Sequence, residues 1–297
     1  AYMRQIGKPL STNTEDALTW AAAEKLYDDQ KINEALNAYN SYLQKFPDGA
    51  HVVEANFNRA EIYNTKKDWN SALQAYEAVA AMAPNQFAER SVLTAARINF
   101  FELKNYAKAE TFYTQLKQIT SSQELKLEAM RGLLRCQYNQ QKWEEASENA
   151  KELTAAKGSS ADDKTLANMV IAKSYQVAGQ YDQAINSFKS VVQLNKAALA
   201  AEARYEIANC WFLLNKLTES EKAAFETINK SGSYDYWITK AYILLGDIYF
   251  KQKDYFNAKA TFQSVVDNTV DPELKGEAQE KLSRATEEEG KSSKVEN

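Results

Sequence analysis

A short pattern returns seven times in this chain, and its period dictates what the chain can fold into. Small residues at Ala35, Ala72, Ala109, Ala146, Ala184, Ser220 and Ala258 are separated by 37, 37, 37, 38, 36 and 38 residues. Three residues before each stands a large apolar one: Ile32, Trp69, Tyr106, Trp143, Tyr181, Leu217 or Tyr255. Four residues after it stands Tyr39, Tyr76, Tyr113, Ala150, Phe188, Ala224 or Phe262. Offsets of three and four fall on one face of an α-helix. A second set lies nine residues upstream, on a preceding helix: Leu26, Tyr63, Phe100, Gln137, Tyr175, Trp211 and Tyr249. Small residues recur twelve upstream (Ala23, Ala60, Ala172, Ala208, Gly246), and Arg97 and Leu134 break that rule. Each copy therefore reads as a helical hairpin whose two helices approach closely at small residues. One hairpin of this length buries too little surface to stand alone, so the copies stack and share a core. The expected fold is all-α, an α-solenoid of seven helix–turn–helix repeats.

Composition agrees and closes off most chemistry. Apolar residues make up 44% and charged residues 26%, the balance of a folded chain. Nine glycines and four prolines are too few for the turns of a sheet protein of 297 residues. No two glycines lie closer than 14 residues, which excludes a dinucleotide-binding loop, a P-loop and a nucleophile elbow. Cys136 and Cys210 occupy the same position in copies four and six, ten before their anchors. Packed helices lie ~8–10 Å apart, so two repeats hold these thiols beyond the ~7 Å reach of a disulfide. They read as buried packing residues. His51 is the single histidine and reads as a surface residue. The neighbouring carboxylates Glu144 and Glu145, Asp162 and Asp163, and Glu287 to Glu289 diverge around a helix instead of flanking a substrate. No catalytic residue, metal ligand or cofactor is expected. A net charge of −4 argues against a nucleic-acid partner. No apolar run is long enough to span a membrane. The chain opens on Ala1, Tyr2, Met3 and Arg4, without an initiator methionine or a signal-like stretch, so a removed segment or a longer parent is expected.

The arrangement of small and aromatic residues resembles the tetratricopeptide repeat, and Pro47 and Pro84 stand where that motif closes. A period near 37 and the break from Phe46 to Ala50 are similar to tetratricopeptide proteins of the bacterial cell envelope, of the Tol–Pal coordinator and outer-membrane-assembly lipoprotein type. The resemblance implies a right-handed superhelix whose first helices line a concave groove. Carried over at positions 15, 11 and 8 before each anchor, the candidate groove residues are Trp20, Glu24, Tyr27, Phe57, Glu61, Phe101, Arg131, Arg135, Tyr138, Lys173, Tyr205, Asn209, Phe212, Asp247 and Phe250. Such a groove is aromatic, acidic at its start and basic in its middle. The implied function is a non-enzymatic scaffold that binds a peptide or protein segment, in the periplasm or at the outer membrane of a bacterium. The family's clamp for acidic chaperone tails is not reproduced. Glycan or other small-ligand binding on aromatic platforms is the alternative, disfavoured by the short breaks between helices. Nothing in the residues fixes an oligomeric state.

The expected organisation is a lead-in at 1–13 and repeats at 14–48, 49–85, 86–121, 122–158, 159–196, 197–232 and 233–271. A capping helix at 272–286 follows, opened by Pro272 and striped with Leu274, Ala278, Leu282 and Ala285, and then a flexible tail at 287–297. The polar stretch Lys157 to Lys164 predicts a flexible joint between copies four and five.

Overall fold

A computed structural model describes residues 11–194 and 197–295. Among them are fifteen helices and no strand. In chain order they are α1 (Thr12–Asp28), α2 (Ile32–Lys45), α3 (Val52–Thr65), α4 (Trp69–Ala81), α5 (Ala88–Arg97), α6 (Tyr106–Ile119), α7 (Gln123–Asn139) and α8 (Trp143–Ala155). Then come α9 (Ala161–Val177) and α10 (Tyr181–Leu194), α11 (Ala198–Leu213) and α12 (Leu217–Lys230), and α13 (Asp235–Lys251) and α14 (Tyr255–Asn268), before a last helix α15 (Pro272–Val295). The chain divides into two compact units, one ending at Gln140 and one beginning at Gln141.

That division falls inside copy four, not at Lys157–Lys164. The latter stretch is tied down. Ser160 and Asp163 form a reciprocal capping box at the start of α9, and Ser159 Oγ donates to the carbonyl of Ala156 at 2.9 Å. Two further boundaries differ from expectation. Helix α1 starts at Thr12, because Ser11 accepts the Thr14 N–H as its cap; residues 1–10 of the lead-in lie outside the described residues. Helix α15 continues through the stretch expected as a tail, as far as Val295. Lys291 pairs with Glu287 and Glu288 one turn away, and Glu289 pairs with Lys259 of α14, so the charged run is anchored as helix.

In the first unit consecutive helices pack in order from α1 to α7. In the second, consecutive helices again pack, and the first helices α9, α11, α13 and then α15 also touch in succession. The second helices do not approach one another as closely, so the first helices form the tighter wall of this unit. All seven small anchors are fully buried. Ser220, the one polar anchor, donates to the Ala208 carbonyl at 2.8 Å and so loses no hydrogen bond on burial. At Gly246 a Cβ would run into the Phe262 ring, so that position has room only for glycine.

A left-handed residue precedes the second helix of every copy. The residue five before each anchor has positive φ: Gln30, Lys67, Lys104, Gln141, Gly179, Asn215 and Lys253, between 50° and 72°. A left-handed residue there lets the next N–H reach back to close the helix, as from Lys31 to Leu26, Asp68 to Tyr63, Gln180 to Tyr175 and Asp254 to Tyr249. In copy three the bond instead runs from Asn105 to Asn99, and residues Ile98–Glu102 form a π-turn that prolongs α5. This turn holds one extra residue. It moves Ala96 into the buried small position and turns Arg97 outward, which is why Arg97 breaks the sequence rule.

Candidate functional site

In the first unit the expected groove residues are engaged by neighbours. Trp20 is half-buried and stacked on His51, with ring centroids 4.8 Å apart, so the histidine is a packing partner and not a plain surface residue. His51 lies over a buried knot: the Tyr42 hydroxyl donates to Asp16 at 2.5 Å and accepts the His51 N–H at 3.0 Å. That hydroxyl, with the Ala50 N–H, holds the Asp16 carboxyl below the usual carboxylate range. Glu24 accepts from the Tyr39 hydroxyl at 2.5 Å and from Asn58 at 3.0 Å. Glu61 repeats the arrangement with Tyr76 at 2.6 Å and adds an ion pair to Arg90. Phe57 is buried, stacked on Phe87 at 4.4 Å beneath the Arg90 guanidinium. It offers no face to a ligand. Tyr27 is partly exposed, and Phe101, on the π-turn, is 56% exposed. On α7, Arg135 is exposed, whereas Arg131 and Tyr138 are half-buried.

The second unit holds a denser cluster on its first-helix wall. Lys173 sits between Glu206 at 2.6 Å and Glu202 at 3.0 Å. Burial works against its charge, but the two carboxylates prevail and hold its pKa above the ordinary lysine value. Glu206 also accepts from Gln176 at 2.6 Å and Asn209 at 3.2 Å. Lys173 and Asn209 are thus committed to the wall itself. Asp247 accepts from Lys281 at 2.5 Å; burial raises its pKa while Lys281 opposes the rise. Burial of Cys210, aided by Glu206, pushes its thiol up to about 12, so it is no nucleophile at neutral pH.

The residues that sequence reasoning missed are the partners. Eleven before one anchor and eighteen before the next, opposite charges meet between first helices: Glu61 with Arg90, Arg97 with Glu128 at 2.8 Å, and Lys173 with Glu202, the π-turn of copy three shifting Arg90 to nineteen and Arg97 to twelve. The aromatics acquire cations in the same way. Lys240 lies 5.8 Å from the Tyr205 ring centre, Lys251 4.7 Å from Phe212 and Arg284 5.0 Å from Phe250. Lys240 also pairs with Glu277 at 3.2 Å. Lys251 and Arg284 are exposed and, among the described residues, have no carboxylate within ion-pair distance. The signal for them was present as recurring charge opposite each groove position, at separations of about one repeat.

Among the described residues no helix is long and apolar enough to cross a membrane, and no cluster of His, Cys, Asp and Glu has metal-binding geometry. Models of the tetratricopeptide repeat match residues 21–87, 169–235 and 240–268. Among curated proteins none matches the chain significantly. A signal transduction ATPase with a tetratricopeptide repeat sensor from Pyrococcus horikoshii is similar in structure, with a TM-score of 0.57 and 17% identity over 93% of this chain and 44% of that one. The C-terminal part of a repeat protein from Cytophaga hutchinsonii gives 0.55 and 13% over 86% and 98%. Yeast Tom70 gives 0.50 and 14% over 95% and 61%. At such identities the likeness is one of fold. The matched stretches span more than half of the chain: it belongs to the tetratricopeptide repeat family.

Proposed function

We propose that this chain is a non-enzymatic scaffold that holds an acidic segment of another protein against the first-helix wall of its second unit, in an assembly of the bacterial envelope. The observation that carries this reading is the pair Lys251 and Arg284, each lying on an aromatic face and neither neutralised by a carboxylate. A cation resting on a ring keeps its position while its N–H groups still face water, so little ordering is needed when it meets an incoming carboxylate. Lys173, Glu202, Glu206, Lys240, Asp247 and Lys281 on the same wall are already paired internally and add shape more than attraction. The envelope context is supported by the sequence resemblance alone. Glycan binding is less favoured, because sugars stack on bare aromatic faces and Phe57, Tyr205, Phe212 and Phe250 are each covered by a cation.

The test compares the parent chain with the Lys251→Glu/Arg284→Glu variant as bait in a bacterial envelope extract, with bound proteins identified by mass spectrometry. Both side chains are exposed, so the variant retains its fold. The expected result is a partner held by the parent and lost by the variant. Identical capture by both would remove the wall from the function.

A further inference from the structure

A cleft of about 600 Å³ opens beside the last repeat, between α13, the end of α14, the loop at 269–271 and the start of α15. Its floor is apolar: Val265 and Leu274 are buried and Ile238 lies beside them. Tyr236 and Tyr242 line it with partly exposed rings. Val270 stands on its lip with 98% of its surface in water, an exposure that a lone aliphatic side chain gains nothing from. The lining of the cleft is particular to this copy. At the corresponding positions of copy six stand Ala198, Ala200, Ala201 and Arg204, where Ala200 and Ala201 are fully buried. In copy seven the larger Tyr236, Ile238, Thr239 and Tyr242 replace them and line an opening.

Charge decides what the opening fits. Asp235 and Asp271 are its only ionisable groups besides the two tyrosines, and no lysine, arginine or histidine lines it. Asp271 accepts the Glu273 and Leu274 N–H groups through one oxygen, capping α15, which leaves the other oxygen for a ligand. Among the described residues, Asp235, at the start of α13, meets no hydrogen-bond or ion-pair partner. An apolar hollow of this size with two carboxylates at its rim is complementary to an aliphatic side chain next to a base.

We infer that this cleft is a second docking site, separate from the Lys251–Arg284 wall, for a peptide segment that inserts an aliphatic side chain and sets a neighbouring arginine or lysine against Asp235. The two sites have opposite charge requirements, so they are tested apart. The probes are the blocked tripeptides Ac-Leu-Arg-Leu-NH2 and Ac-Leu-Glu-Leu-NH2, titrated into the full chain with labelled Ile, Leu and Val methyls and followed by NMR. The arginine peptide is expected to shift the Ile238, Val265, Val270 and Leu274 methyls saturably, with the glutamate peptide at least ten-fold weaker. Asp235→Asn should weaken the arginine peptide by about ten-fold, and Val270→Arg, at an exposed site that leaves the fold intact, should abolish its effect. Lys251→Glu/Arg284→Glu should leave these shifts unchanged, so failure of the wall and failure of the cleft read differently. No saturable shift, or equal response to both peptides, overturns the proposal. So does self-association by sedimentation that Val270→Arg abolishes, since the occupant would then be a second copy of this chain.

Discussion

Replacing Gly179 by alanine isolates the cost of the left-handed turn that every repeat uses. Its φ is +72° and nothing lies within 4 Å of where a Cβ would stand, so the substitution meets no neighbour. The loss, on the order of 1 kcal/mol, comes from backbone sterics alone. Lys67→Gly is the reverse experiment: it relieves the same strain at φ 59° and returns part of the gain as chain entropy, for a net stabilisation of at most about 1 kcal/mol. Urea denaturation of both variants reads the two signs, and an unchanged midpoint for Gly179→Ala would mean the turn is unstrained. The position was hard to read in the sequence because its residues have no common chemistry. What Gln30, Lys67, Lys104, Gln141, Gly179, Asn215 and Lys253 share is negative: none is β-branched or aromatic, the types least tolerant of positive φ.

At the scale of one helix, the seven second helices begin unequally. Asp68, Asn105 and Asp254 each accept a backbone N–H at the start of α4, α6 and α14, whereas Lys31 begins α2 with no side-chain cap. Lys31→Asp should therefore stabilise the first repeat by about 1 kcal/mol, by supplying the missing acceptor and placing negative charge at the helix N-terminus. Lys31→Asn separates these contributions, since it caps without charge; denaturation midpoints no higher than the parent's in both variants would contradict the argument. Helix pairing was legible because its signal is local, a small residue with large ones three and four away. Two element-level features were not. The π-turn at Ile98–Glu102 left only the misfit of Arg97 as its trace, and the charged end of α15 reads as a tail until Lys259 is brought to Glu289 by the fold.

Across the molecule, the candidate groove residues lie on first helices, or for Phe101 on the π-turn that follows one, and what each one does depends on residues about one repeat away. Glu61 was read as part of the groove's acidic start and is bonded to Tyr76 and Arg90; Lys173 was read as part of a basic centre and lies between Glu202 and Glu206. Periodicity locates a face and says little about its neighbours, because the pairing depends on how copies stack. The same stacking buries tyrosines between helices, and this sets how the chain responds to alkali. Burial pushes the Tyr113 hydroxyl from its ordinary value near 10 up to about 12, with Glu128 adding to the rise. Tyr42 is likewise pushed up to about 12, by burial first and then by its bond to Asp16. In the unfolded chain both ionise near 10, so between pH 10 and 12 the folded state binds more protons than the unfolded one. Their contribution to stability is therefore fully present below pH 10 and is lost as pH rises toward 12, on the order of 2 kcal/mol for each phenol. Tyr113→Phe is the clean probe, because the Tyr113 hydroxyl makes no hydrogen bond that phenylalanine would break. The variant should match the parent at pH 8 and exceed it in denaturation midpoint at pH 11, with one fewer late-titrating phenol in the absorbance at 295 nm. Parallel stability curves for the two proteins across that window would show that the ring ionises as freely in the folded chain as in water.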